Sequence, residues 1–204
     1  MRPNQRAEDG HGERIGPNAI IQLCAALQGE IGPERAAELV RAAGLGTYLE
    51  RPPQRMVDEH EVIALHARVR AQLSAAAART VAREAGARTA DYLLANRIPA
   101  IVQHLLRWLP ATLASRALLA AITRHAWTFA GSGQFAARSG RPVEITIAHC
   151  PICRDGRADG PICDYYAATF ERLYARLVHG RSRVAEIECA ASGAPRCRFL
   201  IDWR

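Results

Sequence analysis

Glu186-Ile187-Glu188-Cys189-Ala190-Ala191-Ser192-Gly193-Ala194-Pro195-Arg196-Cys197 decides how the C-terminal quarter of this chain folds. With Cys163 upstream, the spacing reads C-x22-E-x2-C-x7-C. Three thiolates and a carboxylate are enough to close a tetrahedral zinc shell with no position left for water. The Gly193-Ala194-Pro195 turn lets a hairpin bring Cys189 and Cys197 to one point. Cys163, Glu186, Cys189 and Cys197 are therefore the expected metal ligands, with structural zinc as the ion. Cys150-Pro151-Ile152-Cys153 supplies a competing ligand pair, because C-x2-C is itself a metal-knuckle spacing. It can replace Glu186, form a separate site or act as a redox pair. The bland alternative is a set of buried, inert thiols. Cys24, alone on an early helical segment, reads as core.

Working outward, Val184–Ala190 and Arg198–Trp203 read as a terminal hairpin. Residues 161–179 read as a helix with Phe170, Leu173, Tyr174 and Leu177 on one stripe. Short β-like segments are expected at Thr128–Arg138 and Val143–Ala148, around Gly131, Gly133 and Gly140. Before Trp127 the pattern is helical. Pro33 opens one helix, Asp58 and Glu61 have capping-box spacing, and Pro99 and Pro110 each stand where a helix begins. The alanine-rich helix from Ala75 is expected to end at Gly86, with another starting at Thr89. The fold class is α+β: a polar tail over 1–15, then one domain over 16–204. Within that domain 16–126 is mainly helical, and 127–204 is sheet plus helix with the cysteine-rich site.

Composition narrows the chemistry. All 27 basic residues are arginine, which excludes Schiff-base lysine chemistry and a lysine-dependent phosphate loop. The net charge of +7 is scattered along the chain, the pattern of a solvated surface rather than of a nucleic-acid face. Met1–Gly16 lacks the apolar core of a secretory signal, and no apolar run reaches membrane-spanning length. The expected location is the cytoplasm, with thiols reduced. Gly44-Leu45-Gly46 and Gly131-Ser132-Gly133 are isolated fragments, not a G-x-G-x-x-G dinucleotide loop.

Asp91-Tyr92-Leu93-Leu94-Ala95-Asn96-Arg97-Ile98-Pro99, Leu105-Leu106-Arg107-Trp108-Leu109-Pro110 and the segment from Ala120 through His125-Ala126-Trp127-Thr128-Phe129 to Gly133 closely resemble the BchJ family. These are bacteriochlorophyll-biosynthesis proteins long labelled 4-vinyl reductases, and the resemblance runs over nearly the whole chain after residue 17. It implies a vinyl-reductase-type antiparallel sheet with packed helices, behind an N-terminal helical layer and closed by a zinc-stabilised C-terminal hairpin. It also implies the Cys163, Glu186, Cys189, Cys197 ligand set, by position, and a fold like that of trafficking-complex subunits and bacterial aromatic-sensing domains. The implied ligand is a magnesium tetrapyrrole such as divinyl protochlorophyllide. The protein would act as its carrier or accessory factor in vinyl reduction, or alternatively as the reductase itself with NADPH.

Candidate pigment contacts are His104, Trp108, His125, Trp127 and Phe129. A neutral imidazole suits an axial position on magnesium, and the aromatic rings suit a flat macrocycle. Each is equally at home in a core. Arg97, Arg107 and Arg124 suit a propionate. The expected partners are the pigment precursor and pathway enzymes, with room for peripheral contact with the photosynthetic membrane and for a homodimer, and not nucleic acid.

Overall fold

A computed structural model describes residues 13–203. In chain order the elements are β1 (Arg14–Ile15), α1 (Asn18–Ile31), α2 (Pro33–Ala42), α3 (Thr47–Glu50), β2 (Val57–Asp58), α4 (Glu59–Gln72), α5 (Ala75–Asn96), α6 (Ala100–Trp108), α7 (Ala111–Arg124), α8 (Trp127–Ala130), β3 (Gln134–Arg138), β4 (Val143–Ala148), α9 (Asp164–Leu177), β5 (Arg183–Glu188) and β6 (Cys197–Asp202). The α+β plan holds. Four strands form one antiparallel sheet in the order β3-β4-β6-β5, and β1 and β2 pair separately. Most of the polar tail expected over 1–15 lies outside the described residues. Arg14–Ile15 departs from it by pairing with Val57–Asp58, because Ile15 is buried there.

The sheet buries one face by period-two alternation. Val143, Ile145 and Ile147 of β4 and Cys197, Phe199 and Ile201 of β6 all point into the core. Helix α9 lies on that face. Its Tyr166 and Phe170 rings stack on each other 6.1 Å apart, and Phe170 meets Phe199 edge-on at 5.8 Å. On its other side α9 packs against α5, which in turn packs against α1. A helix held between two layers buries more than one stripe. Tyr165, Ala168 and Thr169 are buried along with Phe170, Leu173, Tyr174 and Leu177.

The same packing explains why α5 runs unbroken through Gly86. A Cβ at Gly86 would sit 2.2 Å from the Tyr165 carbonyl oxygen. This glycine permits a close helix crossing and does not end a helix. Thr169 Oγ donates to the Gly86 carbonyl at 3.1 Å, so the exposed backbone group is satisfied.

Other local signals also resolve. Asp58 caps α4 by accepting from the His60 N–H. Glu61 instead takes the Tyr48 hydroxyl at 2.9 Å. Pro99 and Pro110 stand just before α6 and α7. The stretch expected as strand from Thr128 is a helical turn through Ala130, with β3 beginning at Gln134. Gly131 at φ +57° makes the change of direction.

Gly86→Ala should lower the unfolding free energy by about 1–3 kcal/mol despite alanine's better helix propensity, because the clash is with backbone. Urea unfolding of the variant checks this. A second expectation concerns His66 on α4, which is buried against the edge of Tyr165. Burial, then the neighbouring Arg70 charge, push its pKa down to about 3. The unfolded chain takes up this proton near pH 6.5 and the folded chain does not. The stability it protects is present above pH 6.5 and is lost as the pH falls towards 3, at about 1.4 kcal/mol per pH unit. His66→Phe should flatten the acid limb of stability against pH by that slope.

Candidate metal centre

Three segments carry sulfur to one buried point. The turn after β4 supplies Cys150 and Cys153, the N-cap of α9 supplies Cys163, and the β5–β6 hairpin supplies Cys189 and Cys197. All five are free thiols and buried. Their Sγ separations are 3.6 Å for Cys150–Cys163, 3.4 Å for Cys153–Cys197, 3.6 Å for Cys163–Cys197, 4.0 Å for Cys163–Cys189 and 3.9 Å for Cys189–Cys197. Metal–sulfur bonds of about 2.3 Å place tetrahedral ligands about 3.8 Å apart. The sulfurs already stand at that spacing.

Two tetrads have ligand atoms within 4.8 Å of one another: Cys150, Cys153, Cys163, Cys197 and Cys163, Glu186, Cys189, Cys197. The expected ligand set and its knuckle rival therefore meet in one cluster that could hold a metal ion. Glu186 Oε2 accepts the Cys163 N–H at 2.7 Å, while its Oε1 is buried with no hydrogen-bond partner. Burial and the adjacent Cys189 push the Glu186 carboxyl up to about 8. A carboxylate oxygen left bare inside a protein is costly, and a cation beside it would remove that cost. A β-bulge between Glu186 and Glu188 offsets β5 where it reaches the cluster.

Helix α4 braces the knuckle from behind. Arg70 Nη1 donates to the Ile152 carbonyl at 2.9 Å, bringing a buried positive charge beside the thiols. Glu59 is only 1% exposed. It accepts from the Ser132 N–H at 2.7 Å, from the Ser132 hydroxyl at 2.6 Å and from Arg154, just past Cys153. Burial works to raise the Glu59 pKa, but the Ser132 and Arg154 bonds outweigh it and the net direction is down. A Cβ at Gly131 would fall 2.2 Å from Glu59 Oε2, so Gly131-Ser132-Gly133 serves as a carboxylate cradle. Sequence reading missed Glu59. Its only signal was its place one residue after a helix cap, which is an ordinary position for an acid.

The pigment candidates separate. His104 and Trp108 lie on one exposed face of α6. His125 is exposed at the end of α7, and Trp127 is half exposed on α8. Phe129 turns inward against Phe135, Tyr166 and Phe170, and the Tyr166 hydroxyl donates to its carbonyl at 2.6 Å. Cys24 packs against the core, and burial pushes its thiol up to about 11. No helix among the described residues is long and apolar enough to cross a membrane.

This sheet, helix and cysteine cluster fall within residues 143–202, which match the vinyl-4-reductase domain family. Over 188 residues the chain is 47% identical to the bacteriochlorophyll synthase 23 kDa chain of Cereibacter sphaeroides, covering 92% of this chain and 90% of that one. It is 39% identical to the protein of the same name from Rhodobacter capsulatus, covering 92% and 86%. The chain belongs to this family, the BchJ family of the sequence resemblance. Among solved structures, an H-NOX protein from S. oneidensis shares the fold, with a TM-score of 0.56 over 93% of this chain and 99% of that one at 11% identity.

Chelation of the purified protein should lower its melting temperature, and added metal should restore it. Metal-thiolate bonds contribute on the order of 10 kcal/mol to folding in small zinc domains. Cys197→Ser, which removes a ligand common to both tetrads, should abolish that metal-dependent gain in a thermal-shift titration.

Proposed function

We propose that this protein is an accessory factor of bacteriochlorophyll synthesis that binds a magnesium tetrapyrrole precursor on the outer face of α6. On this reading zinc holds the C-terminal cluster together, since soft thiolates at tetrahedral spacing favour it. The names carried by the relatives support the pathway. The protein would take up a precursor of the divinyl protochlorophyllide kind and present it to the pathway enzymes.

The observation that carries the pigment reading is the state of His104. Its Nδ1 lies 2.7 Å from the Ala100 carbonyl oxygen. A carbonyl can only accept, so Nδ1 holds the proton and the neutral ring keeps a lone pair on Nε2. That is the nitrogen an axial position on magnesium requires. Ile101, Leu105 and Trp108 occupy the same helical face by three- and four-residue spacing, and all are exposed, Trp108 at 86%. Of the eight exposed large hydrophobic residues described, six fall between Ile101 and Leu113. Apolar surface so concentrated marks a binding face. Trp108 offers a flat ring to a macrocycle, and Arg97 and Arg107, both exposed, suit a carboxylate at its rim.

Titration with magnesium divinyl protochlorophyllide, with and without NADPH, tests this by absorbance and product chromatography. A saturable spectral shift with unchanged pigment mass is expected. His104→Ala and Trp108→Ala, both at exposed positions, should keep the fold and weaken binding by about tenfold or more. The His104→Ala effect should vanish with the magnesium-free pigment. Equal affinity in both variants would overturn the α6 site. An NADPH-dependent gain of two hydrogens would make the protein the reductase.

A further inference from the structure

We propose that the cysteine cluster is a binuclear centre, with two divalent ions in tetrahedra that share the Cys163–Cys197 edge. Cys150 and Cys153 would complete one tetrahedron, and Cys189 and Glu186 the other. The inference rests on the reading that the cluster holds a zinc-like ion, and it is independent of the pigment site.

The two tetrads are not alternatives drawn from distant residues. Each contains Cys163 and Cys197, whose sulfurs are 3.6 Å apart. Cys150 and Cys153 approach these two from one set, at 3.6 and 3.4 Å. Cys189 approaches both, at 4.0 and 3.9 Å.

A single ion uses one tetrad and strands the rest. An all-cysteine site would leave Glu186 Oε1 bare and Cys189 unused in a fully buried position. A site of three cysteines and Glu186 would leave Cys150 and Cys153, each 1% exposed, as idle thiols against a metal thiolate. Two ions give all six groups a partner. A thiolate sulfur has lone pairs enough to bridge, and a shared edge of this length places the ions about 3 Å apart.

The charges also favour the pair. Six anionic ligands around two divalent ions leave two negative charges. Arg70 reaches the knuckle at the Ile152 carbonyl and keeps Nη2 buried without a hydrogen-bond partner, so it offsets one of them. The run of small residues from Ala190 to Ala194 allows the hairpin to close over two ions without a side chain entering.

The test uses the full chain, stripped of metal under reducing conditions and reloaded with zinc, then with isotopically enriched cadmium. Two zinc equivalents per chain are expected by elemental analysis. The cadmium form should give two resonances coupled to each other through the shared sulfurs. Glu186→Gln, and separately the paired Cys150→Ser and Cys153→Ser substitutions, should each leave one equivalent. Saturation at one equivalent overturns the binuclear centre while keeping the metal site. Two uncoupled resonances overturn the shared edge, and no metal uptake overturns the metal reading itself. If the substituted proteins fail to fold, stoichiometry and coupling in the unaltered chain still decide.

Discussion

Everything in the C-terminal half answers to one constraint: five thiols and a carboxylate are drawn into a single buried volume. No one of the contributing segments has a core of its own. The knuckle between β4 and α9, the first residue before α9 and the β5–β6 hairpin meet only at the sulfurs. Buried acids and thiols packed together are unfavourable unless something positive joins them. The geometry answers this with tetrahedral spacing, with Arg70 alongside and with a carboxylate oxygen aimed inward.

The N-terminal helices serve this cluster as a brace. Helix α4 sends Arg70 to the knuckle backbone, and Glu59 at its start grips both Ser132 and Arg154 on either side of the β3–β4 hairpin. Helix α5 fixes α9 through the close approach at Gly86, and α9 positions Cys163. The helical layer and the sheet are therefore parts of one cooperative unit. A change in α4 is felt at the cysteines through two charged side chains rather than through general packing.

Against that rigid frame, α6 stands apart. Only Leu106 of its side chains is fully buried, and Gln103 ties it down by donating to the Leu94 and Ile98 carbonyls. Its remaining apolar face is left to solvent beside His104 and two arginines. The cluster thus holds the fold, and α6 is the part free to meet a ligand. This division also explains why Phe129, alone among the aromatic candidates, went inward: it sits where α8 turns into the sheet and must fill the space beneath Tyr166.

The cysteine spacing, the β-alternation of β4 and β6 and the proline positions before α6 and α7 were legible along the chain, because each depends on neighbours a few residues away. From them alone follow the α+β order, the terminal hairpin and the identity of the metal-ligand candidates. Tertiary structure alone decided the rest. It carried α5 through Gly86, because the deciding atom is the Tyr165 carbonyl on another helix. It brought Arg14–Ile15 into a strand, through a partner at Val57–Asp58. It turned Glu59 into a buried anchor, and it joined two ligand sets that the sequence presents as rivals. Local spacing specifies which groups can bind or bend. Which of them share a volume depends on contacts between residues far apart in the chain, and these form only when the layers close.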